Sequence, residues 1–499
     1  MTAAASAPRL GFTTKVGYGL GSVAQAVATV ALSQAMINFF LVRVVGLRPA
    51  IVGMVILVSL AIDAIFDPVI GRISDTFRSP WGRRHPFMYA SALPIALAIY
   101  FLWRPPHGVS LEALAAYTLA LLITVRLCVS LYQVPSDSLV PELAPDYHER
   151  TSLISYRYFF GLFGGTLVSI ILLTVFLRKD ASHPLGPLDR EAYGAFGLLA
   201  AIIVFVSILL SSATTHRYIK QLWQAPRRQL NLAQTFREVF AALTNRSLVV
   251  VMASGLMSGV AGGMSATLDA FMNLYFWGLT PQVMGAMAGF TAPASILGII
   301  LAPAVSRRFD KKRTMMIVFA FAIFAGVIPV ALRLVGLMPP NGSPWIPVIL
   351  VIDRIFAGAL ALMGFTIIGS MIADVAEDEA VKSGTRSEGL LFAASGLLPK
   401  FTAGFGGLVG NLMLELSHFP VGVKAGAADV IAPSIMRHLA LLSLPVGLVL
   451  NSLALSVLIF YRIDRKTHEA NLEALALATS ITEPPTSLPT GAAPAGEPI

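Results

Sequence analysis

A single cysteine, Cys128, stands in 499 residues. One thiol excludes an intramolecular disulfide and any cysteine-based metal cluster, and it leaves Cys128 the role of a small apolar packing residue. Charge is scarce too: 13% of the chain is Asp, Glu, Lys or Arg, against roughly 25% in soluble domains. The deficit runs along the whole length, 56% of which is apolar, and the mean hydropathy is +0.74. The ten-residue alternating segments of a β-barrel are missing. So is a Walker-type GxxxxGK[ST] sequence, so nothing points to ATP as a driving force. The eight histidines have no metal-ligand spacing, and no loop holds a nucleophile with a base. An enzyme is therefore not expected, nor a cofactor. No cleavable signal peptide stands out, because the apolar run from Val16 to Val42 is too long for a signal h-region.

What is present is a succession of apolar runs of spanning length, about 20 residues each. They fall at roughly 16–42, 50–72, 86–103, 111–140, 155–177, 192–213, 247–277, 283–304, 314–336, 346–373, 388–415 and 436–461, twelve in all. The formal charge of +9 would suit a nucleic-acid partner, but its distribution follows topology instead. Loop arginines and lysines gather on one side, as in Arg72, Arg78, Arg83 and Arg84, and again in Arg307, Arg308 and Lys311 to Arg313. The positive-inside rule then puts both termini in the cytoplasm. The polar stretch Thr214 to Arg246 separates residues 1–213 from residues 247–466. The halves echo each other: Gly71-Arg72-Ile73-Ser74-Asp75 with Arg83-Arg84 joins spans two and three, and Ser306 to Arg313 joins spans eight and nine. Two six-helix, pseudo-symmetric bundles of this kind suggest the all-α major facilitator fold, with midplane sites between the halves. A tail, 467–499, rich in Ala, Thr, Pro and Gly toward its end, is expected to be largely disordered.

Within the second span, Asp63 and Asp67 lie four residues apart, on one helix face. A carboxylate in hydrocarbon costs on the order of 2–4 kcal/mol. A pair on one face is tolerated if it faces a wet cavity, binds a cation, meets Lys or Arg, or carries a proton. Each option points to ion-coupled transport more readily than to architecture. Lys400, mid-span and far from either interface, is a natural mobile partner. Structural pairing of these acids with Lys400 or Arg126 is the bland alternative. Arg126, Asp353 and Arg354 read as structural. Gly19, Gly21, Gly161, Gly164, Gly165, Gly404, Gly406 and Gly407 read as points of close helix approach.

Ile62-Asp63-Ala64-Ile65-Phe66-Asp67-Pro68-Val69-Ile70-Gly71 resembles the second-helix signature of the glycoside–pentoside–hexuronide:cation symporters, the melibiose-permease-like branch of the major facilitators. Ser79 to Pro86, Leu139 to Leu143, Tyr147 to Arg150, Ser155-Tyr156-Arg157, Ile372 to Val375 and Arg386 to Gly389 add to the likeness. The resemblance implies secondary active transport, with Asp63 and Asp67 as cation-binding acids and Ser130 as a nearby hydroxyl. It also puts Arg157 and Lys400 close to the cation and sugar sites.

The departures narrow the expectation. Sodium-using members often hold Asn before the second acid, where this chain has Phe66. A phenyl ring is no ligand for a hard cation, and paired carboxylates favour a shared proton. The coupling ion is H+ or Na+, with H+ favoured. The family's sugar-gripping acids are replaced by Ala26, beside Gln25, and by Gln133, and its stacking aromatic by Asp137. Gln25, Gln133 and Asp137 are therefore the expected substrate contacts with Arg157 and Lys400, although Pro135 is expected to distort the helix between them. Asp75 and Arg84 are candidate gating residues. So are Asp374 and Arg386, which flank Glu377-Asp378-Glu379, read as a solvated loop. The expected cargo is a sugar, glycoside or uronide; a lysolipid or other amphipath on the same fold is the alternative. Membrane lipid is the expected surrounding, in a bacterial cytoplasmic membrane, with no nucleic acid and no obligate protein partner.

Overall fold

The computed structural model describes residues 10–144, 146–219, 245–383, 388–422 and 431–461, with 463, 467, 470, 471 and 473 beyond them. Among the described residues no β-strand forms, and eleven helices are long and apolar enough to cross a membrane. The first half runs α1 (Phe12–Ala31), α2 (Gln34–Phe39), α3 (Pro49–Thr76), α4 (His85–Leu102), α5 (Leu111–Leu143), α6 (Tyr147–Ile171) and α7 (Arg190–His216). The second runs α8 (Arg246–Phe271), α9 (Pro281–Ala288), α10 (Thr291–Phe309), α11 (Lys311–Phe324), α12 (Val327–Leu334), α13 (Trp345–Ser383), α14 (Glu388–Leu416) and α15 (Pro433–Leu458). The α1–α2, α9–α10 and α11–α12 pairs each form one broken span, so α14, with Lys400 inside it, occupies the place of the remaining span of the twelve. Most of the stretch read as a linker, 220–244, and of the tail, 474–499, lies outside the described residues.

Local chemistry sets the helix ends. Ser110 accepts from the amide of Ala113 at the start of α5, Asp146 from Glu149 at α6, and Asp189 from Glu191 and Ala192 at α7. Asn245 caps α8 by accepting from Ser247 and Leu248, so the glycosylation-like Asn245-Arg246-Ser247 serves as a helix cap. Gly326, with φ of 73°, splits the ninth span. Many helices are apolar all round, and Leu93, Leu97, Ile202, Val206 and Leu210 stay exposed, as lipid-facing residues do.

α14 joins the two halves, packing on α8 within its own half and on α3 of the other. The end of the bundle away from α1's start is sealed by polar contacts between the halves. Arg48 reaches Glu415 at 2.5 Å, and the Gly422 amide donates to Val42 at 2.9 Å. Arg43 donates to the Gly422 carbonyl and, at 3.2 Å, to Tyr275. Buried Asn411 donates to Asn38 at 2.6 Å. At the other end, the charged contacts found among the described residues lie within one half or the other: Arg83 and Arg84 meet Glu142, Lys15 meets Glu149, and Lys311 meets Asp374.

One expectation is corrected here. Glu377 and Asp378 are not in a loop, because α13 continues to Ser383. Asp378 is buried and accepts from Asn471, which had been assigned to the tail. Carboxylates can extend the helix there because that turn packs against the protein and not against hydrocarbon. α5 runs as one continuous helix past Pro135 and Pro141.

Candidate functional site

The fold brings the second-span acids against Lys400. Asp63 and Asp67 lie on α3, one turn apart, and α14 crosses that face. Lys400 Nζ sits 2.7 Å from Asp63 Oδ2 and 2.6 Å from Asp67 Oδ2. Ser130 Oγ, from α5, donates to Asp63 Oδ1 at 3.2 Å. Asp63 is buried, and Asp67 is a third exposed, but its Oδ1 is buried without a hydrogen-bond partner. One ammonium thus serves two carboxylates across the boundary between the halves, and Asp67 Oδ1 is left as an unused acceptor. Such a site can take up a proton or a small cation. Arg126 donates to Ser59, one turn before Asp63, at 3.1 Å and adds a second cation close enough to interact with Asp63. Phe66 is exposed and offers no oxygen.

Beside this site lies a chamber of about 790 Å³ lined by Gln25, Gln133, Asp137, Arg157 and their neighbours. Arg157 pairs with Asp137, donates to Tyr18 at 2.9 Å and to Ser22 at 3.3 Å, and lies over the Tyr18 ring. Tyr18 in turn donates to the Ser136 carbonyl at 2.6 Å. Arg157 is therefore held within the bundle, away from lipid headgroups. Gln25, Gln133, Asp137 and Arg157 come together as expected, whereas Lys400 joins the acids of α3 and does not line this chamber.

Of the gating candidates, Asp75 pairs with Arg84 at 3.3 Å, and Arg84 reaches Glu142 at 2.6 Å. Burial lowers the Arg84 pKa, and Glu142 opposes that shift. Asp374 is buried and bound by Lys311 at 2.5 Å. Arg386 lies outside the described residues.

Sequence reasoning missed a second set of charges. A chamber of about 1170 Å³ in the second half is lined by Asp269, Asn273, Asp353 and Arg354 among many apolar residues. Arg354 Nη2 donates to Asp269 Oδ1 at 2.7 Å. Asp353 turns elsewhere and accepts from the Gly326 amide at 3.0 Å. Asp353 and Arg354, read as structural, point apart as neighbours on a helix do, and each has its own partner. The available signal was Asp269 itself, a lone acid inside an apolar run.

The family described as MFS/sugar transport protein matches residues 17–465. An uncharacterized symporter of Synechocystis is 26% identical, covering 94% of this chain and 97% of that protein. An isoprimeverose transporter of Lactiplantibacillus pentosus is 24% identical, over 87% of this chain and 85% of that protein. A crystal structure of a D-xylose–proton symporter superposes with a TM-score of 0.61 at 16% identity, over 91% of this chain and 99% of that one.

Proposed function

Because the chain belongs to the MFS/sugar transport protein family, we propose that this membrane transporter performs cation-coupled symport of a sugar, glycoside or uronide. The observation that carries the coupling is Lys400 bridging Asp63 and Asp67 between the halves. In the arrangement described, the ammonium compensates the acids. A proton or sodium ion arriving at Asp67 Oδ1 competes with it, loosens a contact between the halves, and so changes the balance between inward- and outward-facing states. Coupling requires that the ion and the cargo each bind one state better than the other. The oxygens at the site come from two carboxylates and one hydroxyl, with no amide, which supports H+ over Na+.

The cargo chamber on this reading is the one lined by Gln25, Gln133, Asp137 and Arg157. A carboxylate accepts from sugar hydroxyls, a guanidinium donates to ring and hydroxyl oxygens, and the glutamines do both. Basic loop residues put the α1 start on the cytoplasmic side. The sealed end then faces outward, and the state described faces inward. Bacterial cytoplasmic membrane is the location this orientation fits.

The apolar breadth of the larger chamber favours a second reading, an amphipathic lysolipid-like cargo. Purified protein in liposomes decides among these. Saccharide uptake driven by an imposed pH gradient, and lost in Asp67→Asn, is the expected result. Uptake that needs sodium and ignores the pH gradient would replace H+ by Na+. Stabilisation by lysolipids alone, with no saccharide effect, would move the cargo to the second reading.

A further inference from the structure

The Asp269–Arg354 pair is placed oddly for a structural contact. Both side chains are about a third exposed, at 37% and 35%, so neither is sequestered in helix packing. An ionised pair deep in a membrane bundle is costly unless water or cargo reaches it, and a buried pair is weak evidence of a stabilising role. This one opens onto space. Asp269, Asn273 and Arg354 line both the 1170 Å³ chamber and a smaller one of about 200 Å³. Val30, Ser169, Ala288 and Thr291 line the smaller chamber together with the Asp137–Arg157 chamber. The three spaces therefore share walls in sequence, with one acid–arginine pair at each end.

The two ends carry the same chemistry. In the first half Asp137 and Arg157 stand with Gln25 and Gln133. In the second half Asp269 and Arg354 stand with Asn273, one helical turn beyond Asp269. Asp269 is the described partner of Arg354, through one nitrogen of a fork with five donors. The remaining donors and the second carboxylate oxygen suit vicinal hydroxyls, which donate and accept at adjacent positions.

We propose that Asp269, Arg354 and Asn273 form a second hydroxyl-binding subsite on the second half, so that the cargo is a two-ring saccharide or glycoside held at both ends. This rests on the saccharide reading above. One ring sits at Asp137–Arg157 and the other at Asp269–Arg354. A cargo touching both halves also explains how binding draws them together, because only a ligand with contacts to both gains from closure.

The test is equilibrium binding to the purified full chain, with glucose, galactose and xylose as monosaccharides and lactose, melibiose and maltose as disaccharides. Asp269→Asn is expected to weaken disaccharide binding by at least about tenfold, roughly 1.4 kcal/mol, and to leave monosaccharide binding within about twofold. Asp137→Asn is expected to weaken both. Where Asp269→Asn does not fold, Asn273→Ala is expected to show the same split at smaller size. Equal loss for mono- and disaccharides in Asp269→Asn, no loss for either, or a wild type that binds only monosaccharides would each overturn the second subsite. A wild type that binds no saccharide would instead sink the saccharide reading on which it rests.

Discussion

Lys400 has two anionic partners, and the loss of one side chain therefore withdraws a cation from both. Lys400→Ala would leave Asp63 and Asp67 without it, one turn apart on α3, with Asp63 buried. Removing one member of a buried charge group costs about 3–5 kcal/mol, and the third-exposed Asp67 argues for the lower end. A melting measurement in detergent should show a fall of about 3 kcal/mol, and Asp67→Asn on that background should restore part of it. If Lys400→Ala melts like the wild type, the ammonium is not paired in the resting state. Asp67→Asn alone should separate binding from coupling. It removes the carboxylate but keeps a hydrogen-bonding side chain, so gradient-driven accumulation should vanish while exchange of labelled substrate at zero gradient persists. Loss of both would assign Asp67 to the cargo site. These residues were legible because a charge within an apolar run has few reasons to be there. Asp269 met the same criterion and was missed, and Arg354 was read as structural with no partner named. The sequence carries the cost of each charge but not its direction, and direction decided the partner.

At the scale of helices, the spans were readable from hydropathy alone, while their internal breaks were not. The clearest repeat between the halves is one that length and charge do not display. Gly46-Leu47-Arg48-Pro49 and Gly278-Leu279-Thr280-Pro281 end the first and seventh spans. Each follows a wide π turn, Phe40–Val45 and Met272–Phe276, each glycine has positive φ, and each leucine amide donates back six residues at 2.9 Å. Glycine takes that backbone without steric cost, and proline then starts the next helix. The repeat was present as GLxP, but four residues among so many apolar ones carry little weight before the backbone is seen. Glycine roles likewise need the partner helix. A Cβ on Gly406 would meet Gly263 Cα and Val260 O at 2.6 Å, both backbone atoms, whereas Gly262 has open space around it. Gly406→Leu should therefore force α14 off α8 and cost at least the 1–3 kcal/mol of ordinary overpacking. Gly262→Ala should be close to neutral. Comparing their melting midpoints tests whether α8 and α14 cross this closely.

For the molecule as a whole, transport requires the sealed end to open, so the seal must be strong enough to close and weak enough to release. Its parts divide by burial. Arg48 is largely exposed beside Glu415, and exposed pairs are worth about 0–1 kcal/mol. Asn38 and Asn411 are fully buried, and their bond joins the halves. Asn411 Oδ1 is itself buried with no partner, an unsatisfied group that costs about 1–3 kcal/mol and that hydration would relieve when the end opens. The closed seal therefore holds its own opening force. Asn411→Ala deletes the donor that crosses the boundary and leaves Asn38 with an unmet oxygen, so the open state should gain more than in Glu415→Gln. A difference of about 1.4 kcal/mol is tenfold in population. The measurement is a distance distribution between two spin labels placed on opposite halves at this end, in a Cys128→Ser background that frees the chain of its single native thiol. Glu415→Gln should shift the open fraction by a few-fold at most, Asn411→Ala by about tenfold. Equal and small shifts in both would mean that apolar contacts such as Phe39 against Phe271, with ring centroids 5.3 Å apart, hold the seal without the polar pair. A larger shift in Glu415→Gln would place the latch at the rim, where salt should then weaken it.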